Sequence, residues 1–325
     1  MQKVLVAGKL HEAGFDVLRS AANLEIDYVE TIDEPSMQPY LQDTNAVLLR
    51  TQPFSASSIA KCRNLRMVSR HGVGFDSVDV NALNDLRVPL AIVGDVNAQT
   101  VAEHAMLLLM STSRRLLQYD AATRPGGNWE FRNSLAAREI SGKSLLIIGL
   151  GRIGRNLARM ARGFDIRVSA YDPYLKDAPP PDVTIVDDLH AALAVADLIS
   201  LHIPRTDAPL IGAAEIALMK PTAIIVNTAR GGTIDEAALA IALKAGRIFG
   251  AGLDVFEDEP LTIANRLTSS QQTILTPHSA SMTVECAERM AIAAAKNIVD
   301  FMAGRLDPDL VVNAKSIDFA NETRR

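Results

Sequence analysis

The sequence predicts an α/β protein with two doubly wound parallel sheets, one domain being inserted into the other. Three observations support this fold class. Short apolar runs alternate with helical segments along most of the chain, as parallel sheets covered on both faces require. A glycine cluster begins only at residue 149 of 325, and a long helical segment near the end of the chain has no strand after it. This length also suggests about two domains, at roughly 150 residues each.

The glycine cluster lies in a strand–turn–helix–strand unit. The run SLLIIG (144–149) is rich in isoleucine and leucine, as a buried parallel strand is, and residues 152–163 have helical apolar spacing. A second strand at 166–171 ends at Asp172, which stands 21 residues after Gly151. This order of strand, G-x-G-x-x-G, helix and terminal acid predicts a dinucleotide-binding Rossmann domain. A glycine turn in an unrelated α/β domain is the alternative.

Each glycine of this cluster has its own physical reason. Gly149 permits the tight turn, Gly151 lets a pyrophosphate approach the backbone, and Gly154 lets the helix pack closely on the sheet. The helix N-terminus offers free N–H groups and a partial positive charge to the phosphates. Asp172 would accept hydrogen bonds from the adenosine ribose and repel a 2′-phosphate. We therefore expect NAD rather than NADP as the cofactor.

The alternation continues on both sides of this unit. Downstream strand candidates lie at 197–203, 223–228, 248–255 and 273–276, with helical segments at 187–196, 213–220 and 235–246. Upstream strand candidates lie at 3–8, 46–50, 66–70 and 89–93. They predict a smaller, flavodoxin-like domain without a glycine fingerprint.

Two long helices connect these parts, one expected over 100–123 and one over 283–304. The second helix has no following strand, so it must be covered elsewhere, and the first domain is the natural place. We therefore expect a discontinuous substrate-binding domain of residues 1–99 and 283–325. A six- or seven-stranded NAD-binding domain at 100–282 would be inserted into it.

Composition excludes several classes of function. Apolar residues make up 48% of the chain and charged residues 22%, which is typical of a folded globular protein. The net charge of −5 and the lack of a long basic run give no reason to expect nucleic acid or an anionic membrane as partner. Two cysteines, Cys62 and Cys286, fit neither a disulfide framework nor a zinc site, so no metal and a reducing cytoplasm are expected. Neither a signal peptide nor a membrane span is expected, because the longest apolar runs, such as 105–110, are short.

Three polar residues follow strands of the predicted cofactor domain, at the edge where doubly wound sheets bind ligands. Arg230, in NTARGG, could hold a carboxylate through two parallel hydrogen bonds, although a surface arginine near a turn is the alternative. Glu259 and His278 form an acid–base pair suited to moving a proton at about pH 7. His202 ends a strand and is expected to line the cofactor cleft without doing chemistry. The other histidines are expected to be solvated or packed: His11, His71, His104 and His190.

These motifs together resemble the D-2-hydroxyacid dehydrogenases, which interconvert 2-oxo acids and D-2-hydroxy acids with NAD. The resemblance covers about residues 45–312. The matching motifs are RHGVGFDSVD (70–79), VAEHAMLLLM (101–110), GLGRIGRNLA (149–158), AYDP (170–173), NTARGGTIDEAAL (227–239), GLDVFEDEP (252–260) and TPHSAS (276–281). One departure is Ser279, where the family more often has an aliphatic residue. This difference could alter the floor of the cleft and leaves the three polar residues intact.

The resemblance implies a role for each of these residues. Arg230 would bind the substrate carboxylate and polarise the carbonyl, protonated His278 would deliver a proton to the carbonyl oxygen, and Glu259 would pair with His278. A hydride from NADH would reduce the carbonyl carbon. The implied cofactor contacts are Arg152 and Ile153 at the phosphates, Asp172 at the ribose, and Thr228, Ala229 and Asp254 near the nicotinamide, with His202, Arg230 and His278 in the same cofactor set.

A second anion-binding region is predicted in the first half of the chain. Gly72, Val73 and Gly74 follow a strand in SRHGVGFDS, and such a turn can form a cradle of backbone N–H groups for the substrate carboxylate. Arg50 and Arg70 also stand at strand ends, which is more positive charge than a plain 2-oxo acid requires. The family's phosphoglycerate dehydrogenases have arginines at similar places, so a second anionic group on the substrate is one interpretation. The alternative is that Arg70 pairs with an acid such as Asp76 and that Arg50 is solvated.

Other functions and assemblies stay open at this point. The C-terminal-binding corepressors share the fold and the motifs, so an NAD-sensing interaction protein is one alternative, and a phosphite or formate dehydrogenase is another. The segment 100–123 is more apolar than packing on a single core requires, and the arm RPGGNWEF (124–131) after it carries the only tryptophan. Together they predict a homodimer, against a helix buried in its own subunit. The chain ends 47 residues after His278, so we expect no regulatory domain of the kind that longer phosphoglycerate dehydrogenases have, and no serine feedback.

Overall fold

A computed structural model describes residues 1–319 of the chain. The chain forms two compact units. The terminal unit comprises Met1–Asn97 and the described residues from Met282 onward, and the central unit comprises Ala98–Ser281. The two crossings lie one to two residues before the boundaries that the sequence predicts.

Strands and helices alternate along the whole chain. The first group of elements is β1 (Gln2–Ala7), α1 (Glu12–Ser20), β2 (Leu24–Val29), β3 (Ala46–Leu49), α2 (Ala56–Ile59), β4 (Met67–Arg70), α3 (Val80–Asp85) and β5 (Leu90–Ala91). The second group is α4 (Ala98–Ser113), α5 (Leu116–Thr123), β6 (Ser144–Ile148), α6 (Arg152–Arg162), β7 (Arg167–Tyr171), β8 (Val183–Ile185), α7 (Leu189–Val195), β9 (Leu198–Leu201), α8 (Ala213–Leu218), β10 (Ile224–Asn227), α9 (Glu236–Lys244), β11 (Gly250–Leu253) and β12 (Thr273–Leu275). The long helix α10 (Val284–Met302) follows. Short 3₁₀ turns lie at Pro35–Tyr40, Trp129–Ser134, Arg266–Ser269 and Pro308–Leu310.

The terminal unit contains a five-stranded sheet in the order β2-β1-β3-β4-β5, with every pair parallel. Both faces of the sheet are buried. In β1, Val4 and Val6 pack in the cluster that contains α10, while Leu5 and Ala7 pack on the opposite side. Helices α1 and α10 approach closely at Gly14, where an added Cβ would lie 3.0 Å from the Ala291 Cβ. This strand order is the flavodoxin-like one.

The central unit contains a seven-stranded parallel sheet in the order β12-β11-β10-β9-β6-β7-β8. Successive side chains of β6 enter different cores, Leu146 and Ile148 on one face and Leu145 and Ile147 on the other. The strand order reverses between β6 and β9, and ligands of doubly wound sheets bind outside the carboxyl ends of the strands at such a point. The predicted α/β fold class with two parallel sheets is confirmed.

The helix predicted over 100–123 is not continuous. Helix α4 ends at Ser113, and Arg115 adopts a left-handed backbone conformation, with φ of 51°, before α5 begins. Arg115 donates a hydrogen bond of 2.8 Å to the Phe249 carbonyl and stacks 3.8 Å from the centre of the Phe249 ring. A tertiary contact therefore fixes the break, which has neither glycine nor proline.

Strands β2 and β8 were also not predicted from the sequence. Each lies at the outer edge of its sheet, where burial is lower and an apolar pattern is not required. Among residues 1–319, no helix combines the length and the apolar character that crossing a membrane requires.

Candidate active site

The glycine turn after β6 has the geometry of a close backbone approach. Gly149 has a φ of +95°, and a Cβ added there would lie 2.6 Å from the His202 carbonyl oxygen. A Cβ on Gly154 would lie 2.3 Å from the Gly149 carbonyl oxygen, so α6 can pack on the turn only with glycine there. An added Cβ on Gly151 would meet nothing within 4 Å. Two glycines are thus required by the fold itself, and the third borders open space.

The N-terminus of α6 meets the conditions for binding an anion. Gly151 is its N-cap and provides no side chain to cap the first turn, which begins at Arg152 and Ile153. The Asp172 carboxylate lies beside this turn, because Oδ2 accepts a 2.9 Å hydrogen bond from the Leu150 N–H. Its Oδ1 accepts a 3.0 Å hydrogen bond from the Tyr174 N–H. The fold therefore holds one carboxylate next to an uncapped helix N-terminus.

Three buried polar atoms after β9 and β10 have no hydrogen-bond partner among the described residues: His202 Nδ1, Thr206 Oγ1 and Thr228 Oγ1. The other ring nitrogen of His202 lies 3.0 Å from Ser200 Oγ, and burial lowers the pKa of His202 to about 3, so the ring is neutral. Buried polar atoms without partners are costly unless a ligand or water satisfies them. Sequence reasoning singled out His202 and Thr228 but missed Thr206. Its only local signal is a hydroxyl in the loop that follows a central strand.

The loop after β10 presents Arg230 next to the loop after β11. A Cβ added to Gly231 would lie 1.7 Å from the Phe256 carbonyl oxygen, so the two loops touch through backbone atoms. Asn227 Nδ2 donates a 2.8 Å hydrogen bond to the Arg230 carbonyl, and its Oδ1 accepts one of 3.0 Å from the Ala229 N–H. The Arg230 guanidinium donates a 2.6 Å hydrogen bond to the Ala229 carbonyl. Hydrogen bonds within the chain therefore hold the conformation of the loop that carries Arg230.

Glu259 and His278 form a direct pair. His278 Nδ1 lies 2.7 Å from Glu259 Oε2, and Glu259 Oε1 accepts a 3.0 Å hydrogen bond from the Phe256 N–H. The two side chains are 48% and 34% exposed, for His278 and Glu259 respectively, so solvent and small molecules can reach them. Burial tends to raise the pKa of the Glu259 carboxyl. The hydrogen bonds from His278 and Phe256 and the positive charges of His278 and Arg230 outweigh burial and hold that pKa below its ordinary value.

The side chain of Asp254 is fully buried and holds the segment that contains His278. Its Oδ1 accepts hydrogen bonds from the Thr276 hydroxyl at 2.6 Å and the Ser279 N–H at 2.8 Å, and its Oδ2 accepts one from the Ala280 N–H at 2.8 Å. The Asp254 carbonyl accepts a 2.7 Å hydrogen bond from the His278 N–H. His278 itself has a φ of 50°, which non-glycine residues rarely adopt. Both carboxylate oxygens of Asp254 are thus occupied by the chain itself.

The terminal unit places its candidate residues after β3 and β4. The Arg50 guanidinium donates a 3.1 Å hydrogen bond to the Lys9 carbonyl and lies 3.6 Å from the Met282 sulfur. Burial lowers the pKa of Arg50, with a smaller opposing effect of Tyr28. Burial and the positive charges of Arg50 and Arg70 lower the pKa of His71 to about 3, so this histidine is neutral.

The turn after β4 offers fewer open backbone N–H groups to an anion than the sequence predicts. The Gly72 N–H donates a 2.9 Å hydrogen bond to the Arg70 carbonyl, so it is already used. The N–H groups of Val73 and Gly74 have no hydrogen-bond partner within residues 1–319. Arg70 Nη1 donates a 2.7 Å hydrogen bond to the His71 carbonyl.

A comparison with protein families defines the class of protein. Residues 106–280, more than half of the chain, match the family model described as D-isomer specific 2-hydroxyacid dehydrogenase, NAD binding domain. The match lies inside the central unit. The chain belongs to the D-isomer-specific 2-hydroxyacid dehydrogenase family and contains its NAD-binding domain.

Relatives cover nearly all of this chain. A D-3-phosphoglycerate dehydrogenase of Mycobacterium leprae is 37% identical over 315 residues, which are 95% of this chain and 58% of the relative. This chain therefore spans less than two thirds of that relative. A glyoxylate reductase of Korarchaeum cryptofilum is 33% identical over 319 residues, 95% of each chain. Among solved structures, an NADPH-dependent glyoxylate/hydroxypyruvate reductase from Sinorhizobium meliloti has a TM-score of 0.84 and 27% identity, and the match covers 96% of this chain and 98% of the other.

Proposed function

We propose that this protein is an oxidoreductase that interconverts a 2-oxo acid and a D-2-hydroxy acid with NAD. The observation that carries the proposal is the 2.7 Å contact between His278 and Glu259, in a loop cluster that also contains Arg230. An imidazole paired with a carboxylate moves protons at about neutral pH, and a guanidinium beside them can bind a carboxylate. Family membership supports the same reaction class.

His278 is the proposed proton donor in the reductive direction. Because the Glu259 carboxylate accepts from Nδ1, that nitrogen carries a hydrogen. Nε2 has no hydrogen-bond partner among residues 1–319 and is the atom left to exchange a proton with the substrate oxygen. Glu259 orients the ring through the Nδ1 hydrogen bond, while Arg230 binds the substrate carboxylate and polarises the carbonyl.

The central unit also fits the proposed cofactor. NAD, when bound, supplies or accepts the hydride. The uncapped first turn of α6, at Arg152 and Ile153, would bind the phosphates, and Asp172 would bind the adenosine ribose. The partnerless atoms of His202, Thr206 and Thr228 would form hydrogen bonds with the rest of the cofactor. Ala229, whose N–H is already bonded, and Asp254, whose carboxylate is fully buried, would contribute shape and support rather than new polar contacts.

Asp172 is proposed to set a preference for NADH over NADPH, because a 2′-phosphate would face a carboxylate. Initial rates with the two cofactors at equal, low concentration test this role. We expect the wild type to prefer NADH and Asp172→Asn to lose most of that preference. Similar rates for the wild type with both cofactors would contradict the assignment of Asp172.

In the terminal unit, we propose an anion-binding turn and a second cationic group. The N–H groups of Val73 and Gly74 would bind the substrate carboxylate. Arg50, whose described partners are all neutral, would bind a second anionic group such as a phosphate. Arg70 and Gly72 would support the turn, since both are engaged in bonds within it. The substrate class we favour is therefore a phosphorylated 2-oxo or 2-hydroxy acid.

A substrate panel tests the proposed activity. Purified protein is mixed with NADH and one 2-oxo acid at a time, including glyoxylate, hydroxypyruvate and phosphohydroxypyruvate, and NADH absorbance is followed. We expect oxidation of NADH with at least one acid, and its loss in His278→Asn. If no 2-oxo acid is reduced and no D-2-hydroxy acid is oxidised, the proposal is wrong.

The two alternative functions have less support. An NAD-sensing corepressor and a phosphite- or formate-type dehydrogenase would need the same central unit, so that unit alone does not separate them. The curated relatives described above carry the names phosphoglycerate dehydrogenase and glyoxylate reductase. Turnover of a 2-oxo acid in the substrate panel would favour the proposed activity over both alternatives.

A homodimer and a cytoplasmic location complete the proposal. Large apolar side chains of α4, α5 and the turn that follows are exposed: Leu107 (53%), Leu117 (53%), Trp129 (60%) and Leu135 (87%). Large exposed apolar side chains, where they are contiguous, are typical of a protein interface. Both cysteines are buried free thiols, which suits a reducing compartment. Light scattering at micromolar concentration should show a dimer and, for Leu117→Lys, a shift towards monomer; a monomeric wild type would contradict the dimer.

A further inference from the structure

A polar chain links helix α4 to the segment that contains His278. His104, on α4, has its Nε2 2.9 Å from Thr276 Oγ1, and this hydroxyl lies 2.6 Å from Asp254 Oδ1. The His104 side chain is only 16% exposed, and its Nε2 is 3.6 Å from the same Asp254 oxygen. Within residues 1–319, no other basic side chain lies within 4.0 Å of the Asp254 carboxylate. The proposed reaction gives no role to this nearly buried imidazole.

The direction of these hydrogen bonds follows from which atoms carry a hydrogen. A carboxylate only accepts, so the single hydrogen of the Thr276 hydroxyl is directed to Asp254. The Thr276 oxygen must then accept a hydrogen bond from His104, which requires a hydrogen on Nε2. The hydrogen bonds therefore run from the His104 N–H through the Thr276 hydroxyl to the Asp254 carboxylate. Without the His104 donor, the Thr276 hydroxyl is held only by its own hydrogen bond to Asp254.

Asp254 links these hydrogen bonds to the backbone around His278. Within 276–280, Asp254 bonds to the side chain of Thr276 and to the backbone N–H groups of His278, Ser279 and Ala280. Every residue of the segment except Pro277 is thus bonded to one aspartate. His278 has a disfavoured positive φ, which persists only where the surrounding structure overdetermines it. A small rotation of Asp254 would therefore displace the imidazole that faces the substrate.

We propose that His104 is a positioning residue for His278, acting through Thr276 and Asp254. This inference rests on the proposed function, in which His278 exchanges the proton. His104 does not touch the substrate; it supplies the outer hydrogen bond that keeps Asp254 in one orientation. The result is a preformed His278 geometry with a supporting shell that begins on α4.

The first test measures the geometry of His278 directly, without relying on activity. The chain has six histidines, so ring-labelled protein gives a simple NMR spectrum, and the His278 signal is the one lost in His278→Asn. We expect His104→Leu to move and broaden this signal. His104→Gln should restore it, because the glutamine amide N–H can occupy the place of Nε2–H. His190→Gln, on an exposed histidine that bonds to Glu215 instead, is the matched control and should leave the signal in place.

Thr276→Val guards against a folding defect of the His104 variants, because it breaks the same chain while His104 stays intact. It should displace the His278 signal as His104→Leu does. An unchanged His278 signal in both His104→Leu and Thr276→Val would overturn the proposal. Equal displacement in His104→Gln and His104→Leu would also overturn it, because the ring shape rather than the hydrogen bond would then matter.

The second test measures turnover with the best 2-oxo acid. We expect kcat in His104→Leu to fall about tenfold, the size of one lost hydrogen bond, with the Kd of NADH unchanged. The double variant His104→Leu/Thr276→Val should be no slower than either single variant, because each substitution interrupts the same series of hydrogen bonds. Additive losses would overturn the proposal. A wild type that reduces no 2-oxo acid would contradict the proposed function instead, and the NMR signal would still decide the role of His104.

Discussion

The central unit and the terminal unit both place charged side chains after parallel strands, but they neutralise those charges differently. In the central unit, His278 is paired with Glu259, and the Asp254 carboxylate is filled by a hydroxyl and two N–H groups. In the terminal unit, Arg50 has only a carbonyl and a thioether as hydrogen-bond partners. Within the described chain, no carboxylate lies within 4.0 Å of its guanidinium.

The two arrangements suit two different functions, proton exchange and anion binding. A group that exchanges a proton must keep its orientation and tautomer before the substrate arrives, so it needs an internal partner. A group that binds an anion loses strength if an internal carboxylate already occupies it. The central unit therefore has the features of preformed acid–base machinery, and Arg50 in the terminal unit has those of an anion receptor.

The largest effect should come from the central unit. General acid catalysis is typically worth about 10²–10⁴-fold, so His278→Asn should lower kcat for reduction by roughly that factor. The asparagine keeps a polar group of similar reach and removes the proton donor. NADH binding, measured by fluorescence, should be retained, as should the melting temperature. A variant with more than half of the wild-type kcat would exclude His278 as the proton donor.

A smaller and selective effect is expected in the terminal unit. Arg50→Ala should lower kcat/KM for a phosphorylated 2-oxo acid by about 10- to 100-fold, the equivalent of one lost charge-assisted hydrogen bond. An unphosphorylated acid should be almost unaffected. Arg63→Ala is the matched control, since Arg63 is an exposed arginine of the same unit. Equal losses on both substrates would show that Arg50 supports the fold or the common carboxylate, and would remove the contrast drawn above.

The sequence was sufficient for the parts of the fold that are buried on both sides. Strands such as β6, with Leu145 to Ile148 all buried, are continuous apolar runs that cannot be mistaken. The edge strand β2 has no such run, because Glu25 and Tyr28 are exposed. The break at Arg115 depends on Phe249, 134 residues away, and nothing in the local sequence marks it.

The candidate site was predictable to a similar depth. Arg230, Glu259 and His278 stand after strands, where ligands bind, and the family resemblance selected Glu259 among three consecutive acids. His104 was expected to be merely packed, because its partner Thr276 is 172 residues away. Spacing along a helix can show that a residue is buried, but it cannot show which hydroxyl lies beside it.

The smallest expected effect concerns Glu259 and appears mainly in the pH profile. Because the pKa of Glu259 is held below its ordinary value, the carboxylate stays charged throughout the neutral range and loses its charge only in acid. In the wild type, activity should therefore fall in acid as this carboxylate is protonated. Glu259→Gln removes the titrating group and keeps the shape, so this fall in acid should disappear. At the optimum, kcat should drop only about fivefold, near 1 kcal/mol for one weakened hydrogen bond. Glu257→Gln, two residues earlier and exposed, is the control that should leave the profile unchanged. If Glu259→Gln keeps the wild-type profile, the charge of Glu259 does not act on the reaction, and the 2.7 Å pair orients the ring through geometry alone.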